Sequence, residues 1–364
     1  MRKIALAVVT LVATAAIVAT SSASSRSEPT TTKATPTPSA PPELIRQAKT
    51  ESGLVFYGNP PSANFTKLVQ KFNEVYPWIK VTAYDLEDNT IFSKYASEAG
   101  QGVRTADVLI ASAPALWIYA KHQKYAMDYT PPDVAKFYPP YAKQFPGIYI
   151  MSPDPAIIVY NKKLLGDKVP TTLADIASDA GSYSRVTGYT VDNTFGNTAL
   201  WGYVQKKGWG SLEKIGSRLQ PTTGVASQLQ LVAQGGAVAA VLTSPTAKLR
   251  IASDPALKEL LGWSYMKDLT PLVPRGIAIT RKASSPASAK LFMYFLFSKR
   301  GQQAMCEADF TAYRIDFKPA GGCTGMLASV MKAVGEQNTY LVPFSQKLVT
   351  DRKPFAARWH QIFG

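Results

Sequence analysis

The sequence predicts an α/β protein, and three observations carry that prediction. Short apolar runs of strand length recur from residue 54 onward, segments with apolar residues at helical spacing lie between them, and the turns that follow the strands are rich in Ser, Thr, Asn, Gly and Pro. Alternation of this kind implies parallel strands joined by right-handed crossovers. Of the 364 residues, those from 43 on read as folded, which is enough for two domains of ordinary size.

Residues 43–52 read as a short polar helix and 54–57 as a buried strand ending in Gly58-Asn59-Pro60-Pro61. Phe65, Leu68, Val69 and Phe72 then recur at helical spacing behind Ser62, whose hydroxyl suits an N-cap. Residues 78–83 alternate like a second strand, 90–100 carry helical periodicity, and Val108-Leu109-Ile110-Ala111 is wholly apolar, as central parallel strands are. Pro114 suits a first helical turn, so Ser112 and Ala113 fall at a strand-to-helix turn. After a stretch rich in Tyr and Pro, 156–160 is an apolar strand and Pro170-Thr171-Thr172 opens a helix. Residues 187–191 form a strand leading into a polar turn at 192–197, after which Leu200, Tyr203 and Val204 mark a helical face. A short helix at 227–234 precedes an apolar strand at 237–242, followed directly by Thr243-Ser244-Pro245-Thr246. Residues 277–280 are a strand, and 290–298 form a strongly apolar helix that runs on to Met305.

Arg2 and Lys3 precede an uncharged stretch over 4–25, whose apolar part reads as the core of a secretory signal; Ser21-Ser22-Ala23 suits cleavage after Ala23, giving a signal peptide over 1–23. The apolar run nearly reaches the length that spans a bilayer, so an uncleaved anchor is the alternative. Residues 24–42 are a Ser/Thr/Pro linker, too poor in apolar groups to fold. No cysteine precedes Cys306, which leaves no candidate for lipid attachment. An exported protein, periplasmic or extracellular and not a lipoprotein, is therefore expected, and in such a compartment Cys306 and Cys323 read as a disulfide. The formal net charge of +15 is spread over scattered Lys and Arg in runs of two at most, which argues for a solvated basic surface rather than a nucleic-acid partner.

Catalytic chemistry finds little to work with. His122 and His360 are the only histidines, no Gly-x-Ser-x-Gly elbow occurs, no phosphate-binding or dinucleotide Gly-rich loop appears, and no carboxylate pair stands out. The expectation is a binding protein with no catalytic residue, no metal site and no cofactor. Its candidate ligand contacts are Asn59, Ser62, Ser112, Thr194, Asn197, Thr243 and Ser244, which sit at strand-end turns where parallel sheets bind ligands. Trp117 is the aromatic candidate for stacking on a ring, and Arg275, just before the 277–280 strand, for pairing with an anionic group.

Several segments resemble the type II solute-binding proteins of ABC importers, in the branch with ferric-ion, sugar-phosphate, phosphonate and thiamine binders. Leu54-Val55-Phe56-Tyr57 is similar to that branch's opening strand, and Thr105-Ala106-Asp107-Val108 to its step into a central strand. Val159-Tyr160-Asn161-Lys162-Lys163-Leu164-Leu165 with Pro170-Thr171-Thr172-Leu173-Ala174-Asp175 resembles the opening of its second lobe, and residues 283–302 its return helix. The resemblance implies two α/β lobes, each a mostly parallel sheet, joined by crossover hinge strands that close on a ligand. It implies a first lobe over 43–152, a second over 153–269, and a return to the first lobe with the C-terminal helices over 270–364. It also implies a monomer whose partners are a small-molecule ligand and an ABC permease in the membrane. Thr194-Phe195-Gly196-Asn197 is the counterpart of the family's anion-binding turn, which adds Gly196 to the candidates. The chain departs from the ferric binders, since Pro245 and Thr246 stand where those place two tyrosines. An organic, anionic or phosphorylated ligand is therefore expected; a metal held with an exogenous anion is the rival within the class, and a secreted hydrolase the rival outside it.

Overall fold

The computed structural model describes residues 40–364, so the expected signal segment and residues 24–39 of the linker lie outside the described residues. The chain builds two sheets in turn. The first begins with β1 (Leu54–Gly58), β2 (Val81–Asp85), β3 (Val108–Ala111), β4 (Lys143–Phe145) and β5 (Ile148–Pro155). The chain then crosses at Ala156 into the second sheet, made of β6 (Ile157–Asn161), β7 (Val186–Tyr189), β8 (Leu219–Thr222), β9 (Ala239–Thr243) and β10 (Leu261–Tyr265). It returns through β11 (Thr270–Ile279) and β12 (Thr339–Leu341). The first sheet runs β2-β1-β3-β11-β5-β4 with β12 beside β11, and the second runs β10-β6-β9-β7-β8.

Pairing is mixed rather than mostly parallel. β1 lies parallel to β2 and β3, and β7 parallel to β8 and β9, as strand-helix-strand units require. The crossing strands enter the other way: β11 is antiparallel to β3 and β5, and β6 to β9 and β10. β5 and the first half of β11 are not among the strands the sequence suggests. Pro153, Pro155, Pro271 and Pro274 read as breakers there, because proline removes a ladder donor. Both strands nevertheless form and are buried along their whole length, with Pro274 opposite Pro153 and a register shift between Arg275 and Gly276. Apolar burial on both faces outweighs the missing donors.

One core lies between the first sheet and the helices Ser62–Asn73 and Pro286–Leu296, where Phe56 and Phe72 pack against Phe292 and Phe295 packs against Phe72; the ring centroids of Phe56 and Phe292 are 4.7 Å apart. The second sheet has its own core, and the C-terminal helix Arg352–Phe363 lays Phe355 and Trp359 into it beside Leu212 and Leu219. A buried ion pair ties the two bodies together. Lys248, on the helix Ala247–Ser253 that follows β9, places Nζ 2.8 Å from Asp309 Oδ1 and donates to the Thr324 carbonyl at 3.0 Å. Both acceptors belong to the return segment: Asp309 lies within the loop that the Cys306–Cys323 disulfide closes, and Thr324 directly follows it. No helix among the described residues is long and apolar enough to cross a membrane.

Candidate functional site

The carboxyl ends of β1, β2, β3, β7, β8 and β9 face one another across the gap between the sheets and bound a cleft of about 220 Å³. Five of the residues singled out in the sequence line it: Asn59, Ser112, Thr194, Ser244 and Arg275. Arg275 reaches it from the register shift between β11 and β5, where Arg275 faces Ser152 and Gly276 faces Ile150, leaving Met151 of β5 as the extra residue. Its Nε and Nη2 lie 3.0 Å from Asp154 Oδ2, and its Nη1 donates to Asn59 Oδ1 at 2.6 Å. The chain of bonds continues. Asn59 Nδ2 donates to Asp88 Oδ1 at 2.7 Å, and the Thr194 hydroxyl, coming from the second body, donates to the other Asp88 oxygen. A polar path thus runs from the crossing strands, along the floor, to the opposite wall.

The two walls differ in charge. Asp85, Glu87 and Asp88 stand on the first body, after β2, while Arg250 stands on the second, with the hydroxyls of Ser244, Thr246 and Tyr189. The Arg250 guanidinium pairs with no carboxylate among the described residues. Burial raises the Asp88 carboxyl to about 7; the nearby Arg275 charge opposes that rise, and the adjacent Glu87 adds to it. Burial likewise raises Asp154 above the usual carboxylate range, against the pull of Arg275. Tyr189 accepts a hydrogen bond from the Ser244 backbone N–H at 3.2 Å, and burial holds its phenol well above its ordinary value. The helices Asp88–Gln101 and Val225–Ala233 both begin at the cleft with no side-chain cap, which leaves first-turn N–H groups for a ligand. The Ser112 hydroxyl is buried at the cleft wall and has no hydrogen-bond partner among the described residues.

The other sequence candidates lie off the cleft lining. Ser62 is the first residue of its helix, behind Pro61 as N-cap, and its hydroxyl donates to Asp85 Oδ2 at 3.2 Å. Trp117 is fully in the core: its indole donates to the Ala111 carbonyl at 2.9 Å and packs where only a glycine fits, at Gly276, so it braces the Ser112 turn from behind. Gly196 lies against the Tyr189 ring, where a Cβ would collide. Asn197 donates to the Val191 carbonyl at 3.0 Å, and Thr243 is wholly buried in β9. Asp88, Tyr189, Thr246 and Arg250 are cleft residues that the sequence reading passes over. Among the described residues no cluster of three or more His, Cys, Asp or Glu is placed to hold a metal ion.

Two α/β bodies joined by crossing strands, with a polar cleft between them, define a two-lobed binding protein. Residues 58–303 match the family model of bacterial extracellular solute-binding proteins, and the chain belongs to that family. Among solved structures it is similar to the substrate-binding protein of an ABC transporter from Agrobacterium tumefaciens, at 21% identity and a TM-score of 0.74, covering 85% of this chain and 95% of that one. AfuA from Actinobacillus pleuropneumoniae, with exogenous fructose-6-phosphate bound, gives 16% identity and 0.67 over 85% and 98% of the two chains. Iron-bound HitA from Pseudomonas aeruginosa gives 16% and 0.65 over 83% and 99%. These likenesses establish the type II periplasmic-binding fold. No curated protein sequence matches.

Proposed function

We propose that this chain is the exported solute-binding component of an ABC-type importer, and that it binds a small anionic organic ligand in the cleft without transforming it. The lobes divide at Ala156, at the turn between β10 and β11, and after β12, so the C-terminal helix moves with the second lobe. The observation that carries the reading is the convergence of Asn59, Ser112, Thr194, Ser244 and Arg275, from both bodies, on one cleft. An anionic group fits the second wall, where Arg250, the Ser244 and Thr246 hydroxyls and the uncapped Val225 helix offer charge and donors. The acidic first wall repels further negative charge, so the remainder of the ligand is uncharged or carries hydrogen-bond donors. A ligand touching both walls stabilises the closed arrangement, and that arrangement docks on the permease.

Bare ferric ion suits the cleft less well, since Tyr189 is its single phenol and is held firmly protonated. Thermal unfolding of the purified protein against sugar phosphates, phosphonates, carboxylates and ferric citrate tests the reading. A ligand at 100 times its dissociation constant stabilises by about 2.7 kcal/mol. Stabilisation by an organic anion, without turnover, is the expected result. Stabilisation by iron with citrate alone, or hydrolysis of an ester or phosphate, overturns it.

A further inference from the structure

We propose that a pocket beside the cleft, between β1, β2 and the helix Ser62–Asn73, is a subsite that receives an apolar group of the ligand. This rests on the anionic-ligand reading of the cleft and specifies the rest of the molecule: an anion that carries a ring or a short branched alkyl chain.

The pocket has a volume of about 110 Å³, and its wall is largely hydrocarbon: Phe56, Phe65, Ile110, Ala83 and the Pro60 ring. The pocket opens to solvent past Ser62, Thr66 and Ala83, and an apolar space of about 150 Å³ is enough to take up benzene. The space here therefore suits a group of about four to six heavy atoms. Its floor depends on Gly58, where a Cβ would meet Pro60 Cδ at 3.0 Å and the Ile110 carbonyl oxygen at 3.2 Å. Any larger residue at the end of β1 would intrude on that space.

The pocket adjoins the cleft, so one ligand can reach both. Asp85 lines both spaces, and the successive residues Pro60 and Pro61 line the pocket and the cleft respectively. At the shared rim lies the solvent-exposed hydrogen bond from Ser62 to Asp85. An exposed hydrogen bond exchanges readily with water, so the rim yields to an entering group at small cost. Ala83 and Thr66 line the pocket but not the cleft, which separates the two functions experimentally.

Calorimetric titration of the purified protein with two matched pairs, methyl phosphate against phenyl phosphate and acetate against phenylacetate, tests the subsite. In at least one pair the phenyl compound should bind about 10- to 100-fold tighter, the gain expected from burying one ring. Ala83→Leu, which fills the pocket, should erase that preference and leave the small anion's affinity unchanged; Thr66→Phe, filling it from the helix side, is the second variant should the first unfold. Equal affinity within each pair, or a phenyl preference that survives both substitutions, overturns the subsite while leaving the cleft reading intact. Failure of all four probes to bind the wild-type protein overturns the anionic reading of the cleft, and the subsite with it.

Discussion

Asp88→Asn makes the sharpest test of the cleft's electrostatics. Asp88 is buried and its carboxyl is raised from 3.8 to about 7, with burial the main cause; Arg275 pulls it back down, as do donors from Asn59 and the Ser112 backbone. The native state therefore holds a proton that the unfolded chain has released, and stability falls as pH rises from about 4 to about 7. A difference of about three units at 1.36 kcal/mol each makes the loss about 4 kcal/mol, complete by about pH 8. Asparagine keeps the shape: its oxygen can accept from Asn59, and its amide can donate to the Thr194 hydroxyl. Denaturant unfolding at pH 4.5 and pH 8 should show the variant close to wild type at the lower pH and more stable by up to about 4 kcal/mol at the higher. With the carboxylate gone, an anionic ligand should also bind more tightly at pH 8. A variant destabilised equally at both pH values would refute the reasoning, because it would mean that the donors from Asn59, Thr194 and Ser112 keep Asp88 ionised throughout.

Two further outcomes follow from buried contacts. Lys248→Met should cost about 3–5 kcal/mol in chemical denaturation, since it leaves the Asp309 carboxylate buried without its partner; adding Asp309→Leu should recover most of that loss. Gly196→Ala lies inside the helix Thr194–Lys207, where alanine alone would stabilise by about 1 kcal/mol, yet its Cβ would strike the Tyr189 ring; a lowered melting temperature and weaker ligand binding are expected, because the Tyr189 contact to Ser244 shifts.

Local chemistry made much of the fold legible. Val108–Ala111 is a strand of the stated extent, and Thr172 caps the helix Leu173–Ser178 by accepting from the Asp175 N–H at 2.9 Å. The Cys306–Cys323 disulfide follows from compartment and count. β5 and the first half of β11 were illegible because their prolines argue locally for breaks, and only burial between two cores decides otherwise. The site divides along the same line. Turn residues such as Asn59 and Ser112 could be read, since strand ends must face a cleft in this topology. Asp88 resembles an ordinary first-turn acid that complements its helix, and nothing local reveals that Asn59 and Thr194 enclose it. Trp117 shows the converse: helical spacing gives a face but not which face is buried, and Gly276 decides that.

The two walls of the cleft differ in how their cations are partnered, and this bears on how a ligand is chosen. On the first body the Arg275 side chain is fixed at three nitrogens, by the Asp154 carboxylate and by Asn59, and Trp117 braces the Ser112 turn behind it. On the second body Leu242, near the end of β9, has a φ of +54°, an uncommon conformation for a bulky side chain, and Arg250 has no carboxylate partner among the described residues. Strain of this sort persists where surrounding contacts hold it, and here they include the Lys248 ion pair two residues beyond the cleft-lining Thr246. The first wall thus has its cation already paired, whereas the second still has a charge that a ligand can pair with. On the proposed reading, an anion bound at Arg250 supplies the carboxylate-like partner that this guanidinium lacks, and the first wall then discriminates among the groups attached to that anion.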